Sequence, residues 1–259
     1  MEPSLRPPQP EILWGENDTP FAPAFGDPYF SRLDGRLETR HVFLGGNFLP
    51  DRWAGLAEFT VAELGFGTGL NFFETLAAWR GAAWRGAAWR GAAWQGAGRL
   101  TLPTPRLTYI SLERFPLQAE DLVRAISRWP DLMPHLDLLL QQWPPPQGWS
   151  DIVLGQKEAI GEVTLRLGIG DANELLPAAS FEADAWFLDG FSPAKNPDMW
   201  GEALIRAVFS RTVSGGTFAT FTAAGWVRRN LQAAGFQVQK MPGYGRKREC
   251  LHGYKPAAT

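Results

Sequence analysis

Cysteine is almost missing from this chain. One residue in 259, Cys250, is a cysteine, which excludes an internal disulfide and any cysteine-cluster metal site. Histidine is nearly as scarce. His41, His135 and His252 stand far apart, whereas metal sites place their ligands at short fixed spacings, so no metal is expected. Long apolar runs are missing too. None approaches the ~20 residues of a membrane span. The opening stretch MEPSLRPPQPEILWGEN has no apolar segment behind a basic start, so no signal peptide is expected and a cytoplasmic location is the default. The longest acid-free stretch is strongly basic. Residues 203–248 hold Arg206, Arg211, Arg228, Arg229, Lys240, Arg246, Lys247 and Arg248 and no Asp or Glu. The chain's net charge is −2, so the remainder carries about −10, an asymmetry that marks either a phosphate-facing surface or a solvated basic face.

The length suits one large α/β domain, or one domain with a small appendage, and 45% hydrophobic content is enough for its core. Residues 1–58 read as an N-terminal arm and a small β-rich extension: Pro-rich at first, with a short strand near Ile12–Trp14, then turn signals without a long helical period. From Phe59 onward the reading is a second unit, 59–259. FTVAEL, RLTYISLE, VTLRLGIGD, DAWFLD and TFATF read as strands separated by helices, which predicts a doubly wound, mostly parallel sheet. FQVQKM and ECLHGY read as a C-terminal antiparallel hairpin around PGYGRKR.

One segment breaks this rhythm. Residues 77–96 read AAWRG, AAWRG, AAWRG, AAWQG. Five helical residues advance about 500°, so successive Trp positions spread around a helix instead of forming a stripe. The segment is expected to be a low-complexity insertion, partly helical or mobile. The alternative is a functional repeat in which Arg80, Arg85 and Arg90 touch phosphate. Gly69 and Glu113 lie 44 positions apart, and 24 without the 20 repeat residues. The second figure is near the about 20 that nucleotide-binding α/β folds place between glycine loop and acid.

AELGFGTGLN supplies Glu63, Gly65, Gly67, Gly69 and Asn71 between an apolar strand and a helix, the setting in which a glycine loop is a credible cofactor site. A dinucleotide fingerprint would want Gly where Leu70 stands, and a carboxylate ahead of the loop repels a pyrophosphate. The pair of features points to a cationic ligand without phosphate, S-adenosylmethionine, over NAD. A glycine-rich turn with no ligand is the plain alternative. Glu113 ends the next strand, where an acid accepts ribose hydroxyls. Asp171 ends another and suits either an adenine contact or a helix N-cap. Asp189 follows AWFL at a fourth strand end, next to where a transferable methyl would lie. An acid there suits a nitrogen acceptor. With an ordinary pKa of about 3.9 it would hold and orient the amine more than deprotonate it. Phe191 can stack on a flat base. The alternative is that Asp189 caps a turn and Phe191 is core.

At these residues the sequence resembles a known family, the methyltransferases that complete 5-methylaminomethyl-2-thiouridine at the tRNA wobble position. The resemblance is carried by DPYFSRLDGRLETRHVFLGGN, ELGFGTGLNF, SLERFPL, DAWFLDGFSPAKNPDMW, GGTFATFTAAGWVRRNLQAAGF and GYGRKRE. It implies a Rossmann-like, S-adenosylmethionine-dependent methyltransferase acting on the 5-aminomethyl group. Asp189 and Phe191 would be catalytic, and Glu63, Gly65, Glu113 and Asp171 would fall on cofactor positions. The basic residues Lys195, Arg228, Arg229, Arg246, Lys247 and Arg248 would face phosphates of the anticodon stem-loop. Ser192 stands where the family pattern has Ala, and the pentapeptide repeat is not part of that pattern. The family's methyltransferase is often fused to a flavin oxidoreductase. Here a stand-alone protein or a fragment is expected, with a separate flavin oxidoreductase as a partner. Two other classes compete: a small-molecule amine N-methyltransferase or aminopropyltransferase, and a non-catalytic RNA-binding module.

Overall fold

A computed structural model describes residues 9–92, 105–157 and 161–257. Apolar residues alternate along its strands so that successive side chains enter opposite faces of one sheet. In β4 (Glu58–Leu64), Phe59 and Val61 enter one core while Ala62 and Leu64 enter the other. The same division places Glu63 on the Val61 side. The remaining strands of this sheet are β5 (Arg106–Glu113), β6 (Gly148–Lys157), β7 (Gly161–Ile169), β8 (Ala183–Leu188), β9 (Thr212–Thr220), β10 (Gln237–Pro242) and β11 (Glu249–Tyr254). Their order is β10-β11-β9-β8-β4-β5-β7-β6. The five inner strands from β9 to β7 are parallel. The β10–β11 hairpin adds two antiparallel strands at one edge, as its sequence implies. The other edge was not anticipated: β6 pairs antiparallel with β7.

Helices cover both faces. On one lie α2 (Leu70–Ala92), α3 (Ala119–Ile126) and α4 (Met133–Leu140), and on the other α5 (Ala172–Ala178), α6 (Glu202–Ser210) and α7 (Gly225–Ala234). The order β7-β5-β4-β8-β9 reverses direction between β4 and β8, the point at which doubly wound sheets open a crevice beyond their carboxyl ends.

The N-terminal residues form a small sheet, β1 (Leu13–Trp14), β2 (Pro20–Ala22) and β3 (Asp27–Pro28). They continue through a short α1 (Gly35–Glu38) into a π-helical stretch Thr39–Gly45. This helical run departs from the reading of the later part of residues 1–58 as turn signals without a long helical period. Its packing explains it: Val42, Phe43 and Leu44 are buried in the same core as α2. Arg36 and Arg40 both pair with the buried Glu74 of α2.

The first repeat copy belongs to the fold. Trp79 is 3% exposed and meets Trp53 edge-on at 5.2 Å, and Arg80 donates to His135 at 2.6 Å. Helix α2 continues as far as Ala92, while residues 93–96 of the repeat and the side chains of Arg85 and Arg90 lie outside the described residues. Trp79→Ala is therefore expected to cost about 3–5 kcal/mol of stability. Deletion of residues 82–96 should leave melting temperature and turnover close to those of the parent. Chemical denaturation and a turnover assay of the two variants check this pair.

Candidate active site

The four acids read from the sequence all sit at the carboxyl ends of inner strands, on one rim. Parallel pairing sets Glu63 against Phe187 and Leu64 against Leu188, so the chain beyond β4 and the chain beyond β8 emerge side by side. Gly65 makes this approach possible. It has φ +84°, and a Cβ there would stand 3.4 Å from Gly190 Cα. A cavity of about 360 Å³ opens at this point, lined by Gly65, Gly67, Asn71, Glu113, Asp171, Asp189 and Phe191 among others. That volume lies in the range of small-molecule sites.

Two of the expected cofactor residues do not line the cavity. Gly69, at φ +74°, packs against the Phe66 ring, where a Cβ would come within 2.9 Å. Glu63 has no exposed surface and lies one layer beneath the floor. Its oxygens accept hydrogen bonds from Asn71 Nδ2 at 2.9 Å and Ser111 Oγ at 2.8 Å. The Asn71 amide nitrogen also donates to Asp189 Oδ2 at 2.7 Å, so one amide bridges two carboxyl groups. Its orientation is set by Thr39, whose Oγ1 donates to Asn71 Oδ1 at 2.6 Å. The other Asp189 oxygen accepts the Gly190 N–H at 2.8 Å.

Burial pushes the Glu63 carboxyl well above the ordinary carboxylate range. Removal from water likewise pushes Asp189 up to about 7, against the pull of the Gly190 and Asn71 hydrogen bonds, with Glu38 adding to the rise and Lys247 opposing it. This corrects the expectation of an ordinary, weakly basic Asp189: a carboxylate titrating near neutrality is a competent general base. Glu113 is also raised by burial. Its oxygens accept from Gly67 N at 2.9 Å and Phe115 N at 2.7 Å, which leaves lone pairs facing the cavity. Asp171 does cap α5, accepting from Asn173 N at 2.9 Å, and also pairs with Arg114 at 2.9 Å while lining the cavity.

Among the described residues no basic side chain pairs with Glu63, Glu113 or Asp189. Glu113 and Asp189, unpaired carboxyl groups on a glycine-lined cavity, suit a ligand that brings its own positive charge. A family model described as S-adenosyl-L-methionine-dependent methyltransferase matches residues 131–256. The chain is 46% identical over 94% of its length to the tRNA 5-methylaminomethyl-2-thiouridine biosynthesis bifunctional protein MnmC of Chromobacterium violaceum, and 43% identical over 94% to that of Pseudomonas aeruginosa. The C-terminal half of the chain thus resembles the S-adenosyl-L-methionine-dependent methyltransferases. The full chain spans 34% of the length of each of these two curated relatives. A solved structure of MnmC2 from Aquifex aeolicus superimposes with a TM-score of 0.68 at 22% identity, covering 97% of this chain and 72% of that one. The shared fold is the Rossmann-like methyltransferase fold, and the cofactor is S-adenosyl-L-methionine.

The cavity has walls that the sequence did not reveal. Phe25, Tyr29, Glu38 and Thr39, all from the N-terminal 58 residues, line it. Phe25 stacks on Phe191 at 4.4 Å and 19°, and Tyr29 meets the same ring edge-on at 5.2 Å. One face of Phe191 is thus already covered, and a base can use only what remains. The stretch DPYFSRLDGRLETR that carries part of the family resemblance contains three of these four residues, the one signal that marked them.

The basic residues divide. Arg229, Arg246 and Arg248 are exposed, and Arg228 is half-buried. Lys195 and Lys247 instead tie the C-terminal half to the N-terminal segment, through Asp27 at 3.4 Å and Glu38 at 2.9 Å. Lys195 also donates to Gly26 O. Among the described residues no cluster of metal-ligating side chains occurs, and no helix is long and apolar enough to cross a membrane.

Proposed function

We propose that this methyltransferase N-methylates the 5-aminomethyl group of 5-aminomethyl-2-thiouridine at the tRNA wobble position, giving 5-methylaminomethyl-2-thiouridine. The observation that carries the reading is Asp189, a carboxylate titrating near 7 at the strand switch point, fixed through both oxygens and without a basic partner among the described residues. An alkylammonium, with a pKa near 10, must lose a proton before it can attack. Asp189 holds such a group and accepts that proton, becoming a neutral carboxylic acid while the amine becomes neutral. When bound, S-adenosyl-L-methionine supplies an electrophilic methyl group activated by its sulfonium, with a neutral thioether as the leaving group. Glu113 and the Gly65–Gly67 backbone hold the cofactor, Asn71 and Asp171 border it, and Glu63 acts from beneath by orienting Asn71. The names of the two MnmC relatives support the substrate class.

Residues 59–259 form the catalytic unit in this reading, with 77–96 inserted in its first helix, and residues 1–58 complete the acceptor side. Arg228, Arg229, Arg246 and Arg248 meet tRNA phosphates, and a flavin oxidoreductase activity supplies the amine. A cytoplasmic location goes with this substrate. Incubation with labelled cofactor and two acceptors, tRNA and a mixture of small polyamines, tests the assignment. Label is expected in the tRNA fraction and to fall steeply as salt rises. Label confined to the polyamines would assign the site to small amines.

A further inference from the structure

Lys247 lies in the basic GYGRKRE loop, yet its ammonium is turned back toward the cavity. Its Nζ is 2.9 Å from Glu38 Oε1 and 4.1 Å from the centroid of the Phe221 ring. Glu38 and Phe221 both line the cavity that holds Asp189. A carboxylate set beside an aromatic face is a receptor for a primary ammonium, and the group it holds here has the same chemistry as the aminomethyl group of the proposed substrate. The Glu38 side chain is only 13% exposed and is fixed further by the Ser31 N–H, which donates to Oε2 at 3.2 Å. Lys247 is 44% exposed and flanked by two exposed arginines, so it can turn outward.

We propose that Glu38 and Phe221 form the docking site for the acceptor's primary ammonium, and that Lys247 occupies this site until RNA phosphates draw it away. The inference rests on the amine-methylation reading above. Glu38 then receives the acceptor as an ammonium, and Asp189, on the same cavity, takes its proton. The exchange also makes docking conditional on RNA: a phosphate that pairs with Lys247 releases the carboxylate that the amine needs. The charged and titratable groups around Glu38 are Lys247 and Tyr244 from the β10–β11 loop, Cys250 from β11, Asp189 beyond β8, and Asp34 at the start of α1.

Glu38→Gln keeps an acceptor for Ser31 and removes the charge. The expected result is a KM for undermodified tRNA raised by roughly tenfold at pH 7, with kcat and cofactor affinity within a few-fold of the parent. The ratio of variant to parent KM should shrink toward unity as pH rises toward the pKa of the amine, because a neutral amine gains nothing from the carboxylate. A purely structural role would give a ratio independent of pH. Lys247→Met provides the second arm. It should lower KM for the free 5-aminomethyl-2-thiouridine nucleoside, which brings no phosphate to displace the lysine, and raise KM for tRNA. Turnover by the parent with Glu38→Gln unchanged, with a pH-independent ratio, or with no gain for the nucleoside in Lys247→Met overturns this inference alone. No methyl transfer by the parent overturns the function reading, and this inference with it.

Discussion

Asp189→Asn is expected to lower methyl transfer by about 10²–10⁴-fold, the usual range for a positioned general base, while cofactor affinity stays within several-fold of the parent. Asn keeps the shape and an acceptor oxygen for the Gly190 N–H, and it removes the proton-accepting carboxylate together with the hydrogen bond from Asn71. The raised pKa gives this variant two further signatures. Binding of a cationic cofactor favours the carboxylate form, so the parent should release protons on binding near pH 7, and its apparent affinity should rise with pH through that region. Calorimetry in buffers of different ionisation enthalpy reads the release, and Asp189→Asn should show less of it. The second signature is thermal. The native carboxyl titrates near 7 and the unfolded one near its ordinary 3.8, so the native state binds more protons between those values. Stability from this group is present below about pH 4 and lost as pH rises through about 7. The melting temperature of the cofactor-free parent should therefore fall more steeply between about pH 5 and pH 8 than that of the Asn variant. Unchanged turnover in Asp189→Asn would remove the carboxylate from the mechanism.

Glu113→Ala is expected to weaken cofactor binding by roughly 10²-fold or more. Hydrogen bonds to a charged acceptor contribute about 1.5–3 kcal/mol each, and the proposed site gives Glu113 two ribose hydroxyls to accept from. The glycine loop loses an anchor as well, because Glu113 accepts the Gly67 and Phe115 N–H groups. The defect should appear in cofactor affinity measured by calorimetry, with KM for tRNA at saturating cofactor nearly unchanged. Glu113→Gln retains one acceptor oxygen and should fall between the two. Cofactor binding by Glu113→Ala at the parent's affinity would place the ribose elsewhere.

The features that the sequence displayed are those with a local signature. A glycine loop between a strand and a helix, and an acid just past an apolar run, are visible in a few residues each. Parallel topology then brings strand ends to one rim without further information, which is why Glu113, Asp171 and Asp189 were found together. Glu63 was misplaced by one layer because strand alternation, not motif position, decides that its side chain turns beneath α2. Strand β6 does alternate, with Ile152 and Leu154 buried and Asp151 and Val153 exposed, but it follows a proline run and pairs at the sheet edge, where no partner can be read from sequence. Helix α4 has only eight residues and Pro134 in its first turn, too little for a periodic signal. The acceptor wall was illegible for a different reason. Thr39 meets Asn71 across 32 positions and Lys247 meets Glu38 across 209, and pairings of that span leave no trace in spacing. The pKa of Asp189 was likewise beyond residue type, because burial sets it.

One measurement reaches the central claim most directly. Undermodified tRNA, prepared from cells lacking this enzyme and shown to contain 5-aminomethyl-2-thiouridine, is incubated with the protein and S-adenosyl-L-methionine. It is then digested and its nucleosides are weighed by mass spectrometry. The account predicts conversion of 5-aminomethyl-2-thiouridine to the nucleoside heavier by one methyl group, with the side-chain amine as the methylated atom. Persistence of the aminomethyl nucleoside in the presence of bound cofactor, or methylation at any other atom of the tRNA, would contradict it.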